Sequence, residues 1–150
     1  VWDVFVLKSG PRWDEAENVA WFCSASQRLL DARGHIVPAI VFFHIPLRVY
    51  EEARLRGDFT GVAGEEVLCW GDEDGHVLEA LLSTGNVRAC FCGHSHRNDY
   101  SFTQCGIHFE YGRVSGYPGY GELERGAKHV RLNADGSFSS ATVLFGSSGD

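Results

Sequence analysis

The sequence predicts an α/β fold whose mixed sheet ends in an antiparallel run of strands. Two short apolar runs, 39–43 and 87–92, of which the second contains only one charged residue, Arg88, are typical of strands that are buried on both faces. Each run is preceded by a segment with helical periodicity, which is the order of elements in α/β units. The last third of the chain instead has short apolar segments separated by turn residues, as antiparallel strands do.

Local signals explain the elements of the first half of the chain. Residues 1–7 are rich in valine and aromatic side chains and predict a strand. A helix is expected over 15–32, because a capping box opens at Asp14 and apolar residues then recur at helical spacing. The buried strand at 39–43 follows, and a short helix is expected at 50–56.

The second half begins with a long acidic segment, 57–75, which is punctuated by glycine and is expected to be a loop. An amphipathic helix at 76–83 leads into the buried strand at 87–92. The remaining strands are predicted at 100–103, 107–111, 127–132 and 138–145. The last two form a hairpin, because Asp135–Gly136 between them is a strong turn signal.

Length and charge limit the classes of function. A chain of 150 residues is expected to form one domain. It has 13 basic and 20 acidic residues, a formal net charge of −7, and no basic stretch, so no nucleic-acid surface is evident. There is also no apolar run of the length that spans a membrane. We therefore expect that an anion such as phosphate needs a bound metal to attract it.

The cysteines and the first residue give two further expectations. Five irregularly spaced cysteines do not match a disulfide scaffold, and Cys90 and Cys92 are expected to be buried thiols. The chain begins with Val1 inside a strand and shows no signal-peptide pattern, so we expect it to be cut from a longer sequence. Its compartment stays open, because a targeting signal would lie upstream of Val1.

Three histidines follow the two buried strands. His44 comes directly after strand 39–43, and His94 and His96 come after strand 87–92 and Gly93. Ligands of open α/β sheets gather at the carboxyl ends of the strands. Imidazole is the commonest neutral metal ligand in proteins. The sequence therefore predicts a metal site formed by these three histidines.

Other interpretations of the histidines and cysteines are less favoured. Cys90, Cys92, His94 and His96 alternate along the chain in a pattern that superficially resembles a zinc site, but ligands on one straight strand do not easily close a tetrahedron. The other four histidines are expected to face solvent or to end helices: His35, His76, His108 and His129.

Two motifs resemble those of a known family. Phe43-His44-Ile45-Pro46 and Gly93-His94-Ser95-His96 resemble the last two metal motifs of calcineurin-like metallophosphoesterases. The longer segments 42–47 and 93–99 are most similar to the purple acid phosphatase-like branch of that family. Tyrosine and glycine pairs between residues 111 and 127 extend the similarity, which covers nearly the whole chain.

The resemblance implies a fold and a metal centre. Residues 1–150 would be the C-terminal portion of a four-layer α-β-β-α sandwich whose N-terminal half is missing. His44 and His94 would bind one metal and His96 the other, in a two-metal centre of the iron, zinc or manganese class. In such enzymes a metal-activated hydroxide hydrolyses phosphate esters.

The family's other ligand motifs are not found in the sequence. These are an Asp-x-His, a Gly-Asp-x-x-Asp and a Gly-Asn-His-Glu/Asp, and the segment 71–74 has neither the position nor the spacing of the second. The chain alone is therefore expected to be inactive. Two alternatives stay open, which are a non-catalytic binding or scaffold module of the same origin and a small protein that binds one zinc through its three histidines.

Few residues are candidates for substrate contact. Four side chains near the histidine motifs could contact a phosphate ester, although loop arginines are usually solvated: Arg97, Arg113, Tyr117 and Tyr120. Asn98 and Asp99, which follow the second histidine motif, are expected to be turn residues.

Overall fold

The fold is known from a computed structural model that describes residues 1–9, 15–65 and 76–146. The capping box at Asp14, the segment 71–74 and Cys69 lie outside the described residues. The elements within those ranges are β1 Asp3–Val6, α1 Glu15–Arg33, β2 Ala39–Phe42, α2 Arg48–Arg56, β3 Thr60–Ala63, α3 Val77–Ser83, β4 Val87–Cys92, β5 Asn98–Gln104, β6 Ile107–Tyr111, β7 Gly126–Leu132 and β8 Phe138–Leu144.

Six strands form one mixed sheet in the order β1-β2-β4-β6-β5-β3. The strands β1, β2, β4 and β6 are parallel to one another, whereas β5 pairs antiparallel with both β6 and β3. β7 and β8 form a separate antiparallel pair. The predicted α/β class, with a mixed sheet and an antiparallel run at the end, is confirmed.

The helices cover one face of the sheet. Phe22 of α1, Tyr50 of α2 and Leu81 of α3 all pack into one buried cluster with Val41 of β2 and Cys90 of β4. Burial of such side chains is the main stabilising contribution to a fold of this size. Because β2 and β4 are central strands, the same cluster fixes the position of their carboxyl ends.

The hairpin β7–β8 covers part of the opposite face. Ile40 and Phe91 point to that side and pack against Val130, Leu132 and Phe138 of the hairpin. At the edge of the sheet, β1 leaves Val4 and Val6 of this face 56% and 72% exposed. These two valines leave part of the apolar face of β1 uncovered.

A buried polar cluster attaches the hairpin to the sheet. Lys128 of β7 contacts Asp99 of β5 at 2.6 Å and Glu110 of β6 at 2.8 Å. Arg113 pairs with the other oxygen of Asp99 at 2.6 Å. Burial raises the pKa of Glu110, but hydrogen bonds with His108, Lys128 and Ser140 outweigh it and lower that pKa to about 2. Glu110 is therefore held as a carboxylate.

Three expectations about local structure were wrong. The segment 57–75 is not all loop, because it contains β3, which pairs with β5. Asn98 and Asp99 are strand residues rather than turn residues, since Asn98 is fully buried and Asp99 carries two ion pairs. His108 does not face solvent, because its ring packs near Phe138 and its Nε2 lies 3.1 Å from Glu110.

The cysteine expectation is confirmed for the described residues. Cys90 and Cys92 are buried free thiols, and burial raises the pKa of both. Cys105 is free and exposed in the turn between β5 and β6. Among the helices described, none is long and apolar enough to cross a membrane.

Candidate metal site

The carboxyl ends of β2 and β4 bring two histidines into contact. β2 and β4 are adjacent and parallel, so the residues that follow them emerge side by side. His44 Nε2 lies 3.3 Å from His94 Nδ1, and the two rings are almost perpendicular with centroids 5.2 Å apart. The strand-end argument therefore places this pair as expected, whereas metal binding by the pair stays a prediction.

Backbone contacts hold both histidines in their turns. Ser9, just after β1, accepts hydrogen bonds from the N–H groups of His44 and Ile45 at 2.9 and 2.8 Å. The N–H of Gly93 donates to the carbonyl of His44 at 3.0 Å, which ties the two turns together. His94 has a φ of 74°, so it adopts a left-handed conformation that few non-glycine residues take.

The electrostatic environment keeps His94 neutral. Burial lowers the pKa of His94, and the neighbouring rings of His44 and His96 lower it further, while Glu65 acts in the opposite direction. A neutral imidazole has a lone pair on one ring nitrogen, which is the form that binds a metal. The lowered pKa of His94 therefore favours the form that ligation requires.

His96 lies in a different environment from the pair. Its ring stacks on Tyr120, with centroids 4.3 Å apart and planes 17° apart. Its Nδ1 is buried and has no hydrogen-bond partner among the described residues. His94 and His96 both line a cavity of about 390 Å³, whose other wall is the glycine-rich loop that follows β6 and includes Gly112, Gly116 and Gly119.

The separation of the His44 and His94 nitrogens matches that of two ligands on one metal ion, but the described residues supply no third ligand beside them. Two nitrogens bound to one tetrahedral ion at about 2.0–2.1 Å lie about 3.3 Å apart, which is the separation of His44 Nε2 and His94 Nδ1. Within the described ranges, no three His, Cys, Asp or Glu side chains form a group that could hold a metal ion. A metal-bound histidine usually donates its other ring N–H to an acceptor, and His96 Nδ1 has none among these residues.

The candidates for substrate contact are mostly engaged within the protein. Arg97 lies over the Tyr120 ring at 5.4 Å. Arg113 lines the cavity, but it pairs with Asp99 and donates to the carbonyl of Glu124 at 2.6 Å. Tyr117 is 70% exposed.

Sequence reasoning did not identify Glu65, which contacts both Arg97 and Tyr120. Glu65 is one carboxylate among many in a segment interpreted as loop, and no motif surrounds it. Its importance depends on contacts with residues about thirty to fifty positions away, which no local pattern reports.

Comparison with curated proteins gives three relatives from Arabidopsis thaliana. The chain is 36% identical over 132 residues, or 81% of its length, to "Probable inactive purple acid phosphatase 28". It is 29% identical over 130 residues to "Probable inactive purple acid phosphatase 29" and 28% identical over 128 residues to "Probable inactive purple acid phosphatase 14", which cover 81% and 85% of the chain.

The chain spans about a third of the length of these relatives, 33%, 33% and 31% respectively. No protein-family model and no solved structure matches it. The similarity covers both histidine-bearing strand ends and most of the described fold. The chain is therefore a relative of purple acid phosphatase-like proteins, and the resemblance that its two histidine motifs indicated is confirmed.

Proposed function

We propose that residues 1–150 are the C-terminal segment of a purple acid phosphatase-like domain and that they supply part of a two-metal centre. His44 and His94 would hold one metal of the iron, zinc or manganese class, and His96 would hold the other. Such a centre supplies the positive charge that binds a phosphate ester and the hydroxide that attacks it. The remaining ligands would come from the missing N-terminal half, so this chain alone would not hydrolyse phosphate esters.

One observation carries the proposal. Two imidazole nitrogens from different turns lie 3.3 Å apart at the carboxyl edge of the sheet. The turns that hold them include the Ser9 contact and a left-handed His94. A backbone conformation that few non-glycine residues adopt, at the point where two imidazoles meet, supports a site there.

The exposed face of β1 supports the incomplete domain. Val4 and Val6 alternate with the buried Phe5 and Leu7, so the strand is apolar on both faces although only one is covered here. Strands that are apolar on both faces belong to sheets with material packed on each side. In the proposed sandwich, the missing half would supply that fourth layer.

Metal titration of the 150-residue chain tests the ligand pair. Co²⁺ is the probe, because its visible absorption reports the number and kind of ligands. We expect Co²⁺ to bind weakly at the His44–His94 pair, at least tenfold more weakly in His44→Ala and in His94→Ala, and equally well in His129→Ala. His129 is an exposed histidine of β7 and serves as the matched control. Absorption that does not depend on His44 or His94 contradicts the proposal.

Phosphatase activity separates the proposal from the non-catalytic module. The relatives are named as probable inactive phosphatases, which favours a descendant that kept the fold and lost the chemistry. Both interpretations predict no hydrolysis of p-nitrophenyl phosphate by this chain with iron, zinc or manganese added. They differ for the longer parent protein, which hydrolyses the ester only if the centre is functional. Rapid turnover by the 150 residues alone would refute both.

A further inference from the structure

We infer that Tyr120 and Glu65 are positioning residues that fix the ring of His96, so that the Tyr120 ring is committed to the histidine rather than to a substrate. The inference deepens the proposed function and rests on it, because a fixed His96 serves a metal centre only if one forms. The arrangement of the two side chains is independent of that function and can be measured without a metal.

Tyr120 holds both the ring and the backbone of His96. Its aromatic ring stacks on the imidazole with centroids 4.3 Å apart. Its phenol oxygen accepts a hydrogen bond from the backbone N–H of His96 at 3.2 Å. The same phenol donates to Glu65 Oε1 at 2.7 Å. One side chain therefore restrains the imidazole plane and the turn that carries it.

Glu65 is a fixed anchor for this contact. It follows β3, and its own N–H donates to Oδ1 of the buried Asn98 at 3.1 Å. Its carboxylate accepts the backbone N–H of Arg97 at 3.3 Å and lies 3.7 Å from the Arg97 guanidinium. Only 16% of the Glu65 side chain is exposed. The carboxylate thus joins the end of β3 to the turn that contains His96.

The backbone next to Glu65 approaches that turn closely. The N–H of Gly64 donates to the carbonyl of Arg97 at 3.1 Å. A Cβ at position 64 would lie 2.5 Å from the same oxygen, so only glycine permits the approach. The glycine at position 64 thus allows the end of β3 to pack directly against the turn that carries His96.

The glycine-rich loop confines the other edge of the imidazole. A Cβ at position 119 would lie 2.9 Å from His96 Nδ1, so the absence of a side chain at Gly119 leaves room for the ring. Arg125 donates hydrogen bonds to the carbonyls of Gly119 and Leu123, which hold the loop in place. Because Nδ1 is buried against Gly119, Nε2 is the ring nitrogen left for a ligand.

The cavity beside His96 leaves its ring room to move unless other side chains position it. An open space of about 390 Å³ borders the ring, and a histidine on such a wall has several staggered rotamers available. The stack on Tyr120 selects one of them before any ligand binds. Arg97 also covers the Tyr120 ring at 5.4 Å, which leaves Tyr117 as the aromatic side chain of this loop that is free to contact other molecules.

The first experiment is NMR on the metal-free 150-residue chain. It compares Tyr120→Ala, Tyr120→Phe and Glu65→Gln with the control Tyr117→Ala, since Tyr117 is highly exposed in the same loop. We expect the ring-current shifts of the His96 protons to be lost in Tyr120→Ala and largely retained in Tyr120→Phe, which keeps the stack. Glu65→Gln should give an intermediate spectrum. Unchanged His96 shifts and rotamer in Tyr120→Ala, with the unfolding midpoint preserved, would overturn the inference.

The second experiment asks whether positioning affects ligation. Co²⁺ titration of the same variants should show at least a tenfold loss of His96-dependent binding in Tyr120→Ala, a smaller loss in Tyr120→Phe and none in Tyr117→Ala. If the unmodified chain binds no Co²⁺ through any histidine, the proposed function fails, and the NMR result still decides the positioning role. If it binds Co²⁺ through His96 and Tyr120→Ala binds equally well, the inference fails while the proposed function stands.

Discussion

Glu110 is expected to set much of the acid sensitivity of the fold. It is a buried carboxylate that contacts Lys128 of the hairpin at 2.8 Å and also bonds with His108 and Ser140. These partners outweigh the burial that raises its pKa and lower that pKa from 4.5 to about 2. Replacing it with glutamine in Glu110→Gln removes the charge but keeps the shape of the side chain.

The sign of the effect follows from the lowered pKa. A carboxylate with a lower pKa in the folded state stabilises the protein above its unfolded pKa and loses that contribution as the pH falls. The loss should run from about pH 4.5 to about pH 2. The full separation of the two pKa values corresponds to about 3 kcal/mol, and because the cluster borders solvent we expect about 1–2 kcal/mol of it to be realised.

Denaturation at a series of pH values measures this contribution. Urea is the denaturant because it is uncharged and does not screen the ion pairs. We expect Glu110→Gln to be about 1–2 kcal/mol less stable than the unmodified protein at pH 7 and nearly equal to it near pH 2. Glu124→Gln changes an exposed carboxylate of the loop and should leave the pH profile unchanged. A difference between Glu110→Gln and the unmodified protein that is the same at pH 7 and pH 2.5 would refute the reasoning.

Three further predictions concern packing, the Ser9 contact and the thiols. Phe109→Ala empties a fully buried position and should reduce the free energy of unfolding by about 3–5 kcal/mol, against under about 0.5 kcal/mol for the exposed Val143→Ala, both measured in urea. Ser9→Ala leaves two partly exposed N–H groups without their acceptor and should cost about 0.5–1.5 kcal/mol, with faster hydrogen exchange at those two amides. Iodoacetamide should label Cys105 in the native protein and Cys90 only after unfolding, and mass spectrometry of the peptides would show an equal rate for both if the burial were wrong.

The parallel strands could be predicted because their environment is recorded in their own residues. β2 and β4 are largely buried on both faces, and this appears in the sequence as apolar runs that are interrupted only by Arg88. The strand-end position of His44 and His94 follows from those runs alone, since adjacent parallel strands share one carboxyl edge. The contact between the two rings was therefore accessible to local reasoning.

β3 and the start of β5 could not be predicted in the same way. β3 is an edge strand whose residues Thr60, Gly61 and Val62 are all exposed, so hydrophobic patterning gives no signal for it. It exists because its backbone pairs with β5, which is almost forty residues away. Asp99 likewise has the composition of a turn residue, and only its ion pairs with Arg113 and Lys128 make it part of a buried strand.

The candidate site also combines features set by local sequence with features set by distant contacts, so its histidine motifs alone do not describe it. The positions of His44 and His94 depend on two strands that carry the motifs, whereas His96 depends on Tyr120 and Glu65, which lie outside both. A substitution at either of these outer positions would leave Gly-His-Ser-His intact in the sequence and still release the His96 ring. The position of the His96 ring can therefore be lost through a substitution away from the histidines. The presence of both histidine motifs indicates the fold, and the contacts of Tyr120 and Glu65 indicate whether the His96 ring is held in place.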